Sequence, residues 1–158
     1  MPRPLSELPK AHLHLHFTGS MRHSTLLELA ERDGINLPDS LEQDWPPQLS
    51  AADEKGWFRF QRLYDVARSV LRTEEDVRRL IREAAEDDKA EGGRWLEIQV
   101  DPSGYGAKFG GITEFTDLVL DAVEKGKASA RLLQGGGIDV RLRNFEYDLT
   151  RTIRMARA

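Results

Sequence analysis

Apolar positions recur along this chain with two alternating periods, and together they predict strands separated by helices. From Lys10 to Phe17 histidine stands at every second position, His12, His14 and His16, with Ala11, Leu13, Leu15 and Phe17 between. A period of two is that of a β-strand, whose successive side chains point to opposite faces. It predicts the three histidines on one face and the apolar residues on the other. Arg94 to Val100 repeats the pattern, with Trp95, Glu97 and Gln99 on one face and Leu96, Ile98 and Val100 on the other. Ile138 to Leu142 reads as a third strand.

Between the strands the period lengthens to that of a helix. Ser24 can cap a short helix carrying Leu26, Leu27, Leu29 and Ala30, which Gly34 ends in a left-handed conformation. From Trp57 to Leu71 the stripe is Phe60, Leu63, Tyr64, Ala67, Val70 and Leu71. Thr73, with Asp76 as the acid of a capping box, opens a helix whose inner face is Val77, Leu80, Ile81, Ala84 and Ala85. Thr113 can cap another, with Phe115, Leu118, Val119, Ala122 and Val123 inward, and a last helix starts near Asp148. Pro38, Pro46 and Pro47 make residues 36–55 a long loop, of a length that often serves as a lid. Strands alternating with helices predict an α/β fold of parallel βα units, one domain over residues 1–158 with strands near 11–17, 94–100 and 138–143.

Composition narrows the function classes. At 158 residues and 39% hydrophobic content the chain can bury one core. With 23 Lys and Arg against 27 Asp and Glu, it lacks the basic excess of a nucleic-acid binder. The absence of cysteine removes disulfides and thiolate metal sites. No stretch reaches the ~20 apolar residues of a membrane span, and residues 1–7 carry no signal-peptide core, so the expected location is cytoplasmic.

Candidate chemistry concentrates in the first strand. Neutral imidazole is the commonest nitrogen ligand of zinc, and two histidines at i and i+2 can chelate one ion from a rigid strand. His14 and His16 are the expected pair. His12 would lie ~6–7 Å further along the strand, too far to share the ion. His23 follows the Gly19 turn and reaches back only if the loop folds over.

The stretch Leu8-Pro9-Lys10-Ala11-His12-Leu13-His14-Leu15-His16-Phe17-Thr18-Gly19-Ser20-Met21-Arg22 resembles the opening of the adenosine deaminases, a metal-dependent amidohydrolase family. On that resemblance His14 and His16 match the metal ligands of the first barrel strand, and Gly19 matches the glycine of the strand-to-helix turn. His12 stands where the family has Glu, and Thr18 where many members have an Asp that meets the ribose. Trp95-Leu96-Glu97-Ile98-Gln99-Val100-Asp101-Pro102 is loosely similar to the family's Tyr-x-Glu-x-Arg-x-x-Pro. Phe60 and Tyr64 match a Phe-x-x-x-Phe helix that walls the purine. The resemblance implies Zn²⁺ as cofactor, substrate contacts at His16, Thr18, Gly19, Phe60 and Tyr64, and conversion of adenosine to inosine and ammonia by a metal-activated water.

It also implies the N-terminal portion of an incomplete (β/α)₈ TIM-type barrel, since a closed barrel takes about 250 residues and eight strands. The family's His-Ala-Gly-Glu and Asp-Asp motifs are absent, and no histidine follows His23. Catalytic zinc generally has three protein ligands. The expectation is therefore that this chain carries only part of the site, names no catalytic residue of its own, and exposes barrel edges that favour self-association. Glu97 and Asp101 are the acids nearest the site by position. Two other readings stay open: a metallophosphoesterase of the polymerase-and-histidinol-phosphatase type, which also opens on His-x-His, and a non-catalytic remnant.

Overall fold

The computed structural model describes residues 4–5, 8–42, 56–134 and 139–144, and these form two compact units. The first unit, Met1–Ser20 with Thr73–Ala158, holds a three-stranded parallel sheet in the order β1 (Lys10–His16), β2 (Gly93–Val100), β3 (Asp139–Asn144). Helix α4 (Glu74–Ala90) leads into β2 and α5 (Ile112–Gln134) into β3, and the two helices pack on each other and on the sheet. Parallel strands joined through helices are the βα units that the two hydrophobic periods predict.

Alternation on β2 produces the main core. Leu96 and Ile98 are fully buried, as are Val77, Leu80 and Ile81 of α4. Each such side chain contributes about 1.5–3 kcal/mol on burial. Beyond the strand ends an aromatic cluster takes over. Tyr105 stacks on Phe115 with ring centroids 4.4 Å apart, and Phe17 meets both edge-on at 5.5 and 6.1 Å. These contacts tie the chain just after β1 to the loop after β2 and to the start of α5.

The opening of α4 follows its sequence closely. Asp76 N donates to Thr73 Oγ1 at 3.2 Å, and Thr73 N donates to Asp76 Oδ2 at 2.8 Å, a reciprocal capping box. The other two expected caps are not used. α5 begins at Ile112, before Thr113, and the first helix of the second unit begins at His23, before Ser24, with Arg22 at the cap position and no side-chain cap bond.

That second unit, Met21–Arg72, contains α1 (His23–Asp33), α2 (Asp39–Glu42) and α3 (Gly56–Ser69). Gly34 ends α1 at φ 63° and ψ 35°, where a Cβ would be strained, and its N–H caps the Ala30 and Glu31 carbonyls. Leu26, Leu29, Leu41, Ala67, Val70 and Leu71 are buried. The short α2 lies within the stretch expected to be loop. Residues 43–55, the Gly135–Gly137 break and the helix expected near Asp148 lie outside the described residues.

Replacing Thr73 by Ala should lower stability by about 1 kcal/mol, because it leaves an N-terminal amide of α4 without its acceptor. Urea denaturation checks this as a lower midpoint at unchanged slope. Thr73→Ser should retain most of the stability.

Candidate metal centre

The register of β1 on β2 decides which histidines meet. Ala11 pairs with Trp95 and His12 with Leu96, and pairing resumes at Leu15 with Ile98 and His16 with Gln99. Between those pairs Leu13 and His14 stand opposite the single residue Glu97, which is a β-bulge. An extra residue inverts the alternation on one side of the bulge. His12 therefore shares the face of buried Leu96, while His14 and His16 share the face of Glu97 and Gln99. This corrects the uniform alternation expected for the strand.

Side-chain contacts agree with the register. His12 Nδ1 lies 3.5 Å from Asp88 Oδ1 on α4, which packs on the sheet. Burial pushes the Asp88 carboxyl above its ordinary pKa against the opposing pull of His12, and its Oδ2 has no hydrogen-bond partner among the described residues. A Cβ on Gly93 would collide with that carboxylate, so glycine is needed there for close packing.

His14 and His16 converge. Their Nε2 atoms are 3.2 Å apart, and the rings meet nearly edge to face with centroids 4.9 Å apart. Two nitrogens bound tetrahedrally to zinc at 2.0–2.1 Å stand about 3.3 Å apart, so the pair has the spacing of two ligands to one ion. Partial burial, then the neighbouring His14, holds the His16 imidazole below its ordinary pKa. Neutral imidazole is the ligating form. Among the described residues no group of three His, Cys, Asp or Glu side chains converges as a metal site.

The supporting groups come from β2 and the loop after it. Gln99, only 5% exposed, places its Nε2 2.5 Å from His14 Nδ1. Phe17 N donates to the Gln99 carbonyl at 2.9 Å, which fixes the end of β1. Thr18 is buried, and its hydroxyl is hydrogen-bonded to the buried Tyr105 hydroxyl. Gly19 is exposed, takes no positive φ, and has room for a Cβ at 3.6 Å from His16 Cβ. The short 3₁₀ turn Thr18–Ser20 is closed instead by Ser20 Oγ donating to the Phe17 carbonyl at 2.7 Å.

The remaining candidates have structural partners. Glu97 is buried and accepts from Trp95 Nε1 at 3.0 Å. Asp101 accepts from Ser103 N at 3.0 Å and Ser103 Oγ at 2.6 Å, capping the turn Pro102–Gly104. In the second unit His23 Nε2 donates to the Leu41 carbonyl at 2.7 Å. Phe60 and Tyr64 stand one turn apart on α3, half-buried, with centroids 6.0 Å apart and the Arg68 guanidinium 5.3 Å from the Tyr64 ring centre. Sequence reasoning did not single out Gln99 or Tyr105. Gln99 was legible as a polar residue on an inward face, but its link to His14 depends on register.

Zinc titrations of the 158-residue chain should separate the histidines. His14→Ala and His16→Ala should each abolish binding above background, whereas His12→Ala should leave the affinity within about twofold, because His12 faces α4.

Comparison with known proteins agrees with the parallel βα architecture. The adenosine deaminase family model matches residues 9–152. A candidate adenosine/adenine deaminase of Streptomyces virginiae is 62% identical over 122 residues, which are 77% of this chain and 36% of that protein. The adenine deaminase structure from Arthrobacter aurescens superimposes with a TM-score of 0.66 at 27% identity, over 86% of this chain and 39% of that one. An amidohydrolase from Burkholderia ambifaria with bound zinc shares the fold at 24% identity and a TM-score of 0.65, over 88% of this chain and 36% of its own. This chain therefore spans little more than a third of the length of these relatives, and its strands and helices are part of a (β/α)₈ barrel. No helix among the described residues is long and apolar enough to cross a membrane. By the extent of the match and the βα architecture, the chain belongs to the adenosine deaminase family.

Proposed function

We propose that this chain supplies two metal ligands, His14 and His16, to a zinc-dependent hydrolase that removes the 6-amino group of a purine nucleoside, converting adenosine to inosine and ammonia. The observation that carries the reading is the 3.2 Å approach of the two Nε2 atoms on one face of β1. Bound zinc would supply acidity to a water molecule and so a nucleophile at neutral pH. The rest follows from the chain's own residues. His14 and His16 present ring nitrogens toward one point. Gln99 and the Phe17 backbone hold that end of β1 in place. Glu97 and Asp101 are engaged as hydrogen-bond acceptors by Trp95 and Ser103.

A second reading, free adenine as the substrate, has one specific observation in its favour. Thr18 stands where the family resemblance places the ribose-contacting acid. Here the side chain is 2% exposed and its hydroxyl is committed to Tyr105. No side-chain group at this position is turned outward to meet a sugar. The relatives' names include both substrates, adenosine and adenine. Nothing observed favours phosphate-ester chemistry.

The test is a chimera in which this chain replaces the matched 122 residues of the Streptomyces virginiae relative. With zinc it should deaminate adenosine, and His14→Ala or His16→Ala should lower kcat/KM by more than about 100-fold, beyond the range of outer-shell changes. Turnover of adenine with none of adenosine would select the second reading. A folded, zinc-loaded chimera inactive on both, beside an active parent, would overturn the assignment.

A further inference from the structure

Among the described residues β1 is paired along one edge only, with β2. His16 is its last residue, so where its ring sits depends on what holds the chain that follows. Phe17 is buried, its amide donates to the Gln99 carbonyl at 2.9 Å, and its ring meets Tyr105 and Phe115 edge-on. Thr18 comes next, and its hydroxyl is hydrogen-bonded to the hydroxyl of Tyr105, both residues being 2% exposed. This is a side-chain bond between positions 87 residues apart in sequence.

Tyr105 is itself a fixed point. Its ring stacks on Phe115 with the planes 7° apart, its amide donates to the Pro102 carbonyl at 3.1 Å, and its carbonyl accepts from Lys108 N at 2.9 Å. The loop after β2 and the start of α5 therefore present one oriented hydroxyl to the chain leaving β1. Apolar ring contacts resist separation but are not directional, whereas a hydrogen bond fixes distance and angle together. Without the Tyr105 hydroxyl, the buried Thr18 hydroxyl loses that partner, which favours turning the segment out toward water. The strand end two residues earlier then samples more positions, and a bound ion would have to order it.

We propose that Tyr105 is a positioning residue for His16. Its hydroxyl acts through Thr18 to hold the end of β1 where the His16 Nε2 meets that of His14. The proposal rests on the reading of His14 and His16 as metal ligands. Coupling of this kind is reciprocal: a contact that favours metal binding is strengthened by it.

Two readouts on the 158-residue chain test it, with zinc as the probe. Zinc affinity, measured by competition with a chromophoric chelator, should fall by about 10-fold in Tyr105→Phe, the lower end of what supporting groups contribute around a metal. Thr18→Val removes the same bond from its other end, and serves also if Tyr105→Phe does not fold. It should cost a similar factor, and the double variant should lose no more than either single one. Thr18→Ser, which keeps the hydroxyl, should stay within about twofold of the parent. Amide hydrogen exchange supplies the second readout. Zinc should slow exchange at Phe17 and at Tyr105 in the parent, and the slowing at position 105 should vanish in Tyr105→Phe. A folded Tyr105→Phe chain that binds zinc as tightly as the parent would overturn the proposal, as would a double variant whose loss is the product of the single losses. Zinc binding by the unsubstituted chain that is absent, or that survives His14→Ala, would instead overturn the ligand reading beneath it, before any change at Tyr105.

Discussion

The placement of Leu13 and His14 opposite Glu97 is the constraint on which the site depends. A strand without that bulge would carry His12, His14 and His16 on one face, spaced evenly along its length. With it, His12 turns to the α4 side and meets Asp88, and only His14 and His16 remain facing Gln99. The bulge thus removes one imidazole from the set and leaves a pair whose Nε2 atoms approach to the spacing of two metal ligands. Pairing resumes at Leu15 and His16, so His16 is held by a regular part of the ladder.

Packing beyond the strand ends gives that pair its rigidity. Phe17 is clamped by the rings of Tyr105 and Phe115, and its amide is bound to the Gln99 carbonyl. Thr18 is fastened to Tyr105. Side chains that support a site from behind restrict the rotamers of the groups in front, and that precision sets how well a metal or substrate is held. The buried Leu96 and Ile98 serve the same end from the opposite face, since they fix the plane of β2 against α4. The core and the candidate site are two faces of one strand pair.

Much of this is local and was readable from local pattern. The capping box of Thr73 and Asp76, the glycine stop at Gly34, the alternation of β2 and the His14–His16 pair each depend on residues within four of one another. The bulge does not. It is a property of two strands separated by almost eighty residues, and nothing within Lys10–His16 distinguishes an even strand from a bulged one. The same holds for the partners that the bulge selects: Asp88 for His12 and Gln99 for His14. Gly19 matches the family's turn glycine, and the turn there is made at an ordinary φ with a serine hydroxyl bonded to the Phe17 carbonyl. Thr18 looked open to a substrate from its sequence position, and the distant Tyr105 claims it.

X-ray absorption at the zinc edge tests the central claim most directly, because it counts imidazoles around the ion. The zinc-loaded chain should show two imidazole nitrogens at about 2.0–2.1 Å, unchanged by His12→Ala, and His14→Ala should remove the bound zinc altogether. A spectrum that loses an imidazole on replacement of His12, or that keeps both without His14, would contradict the account.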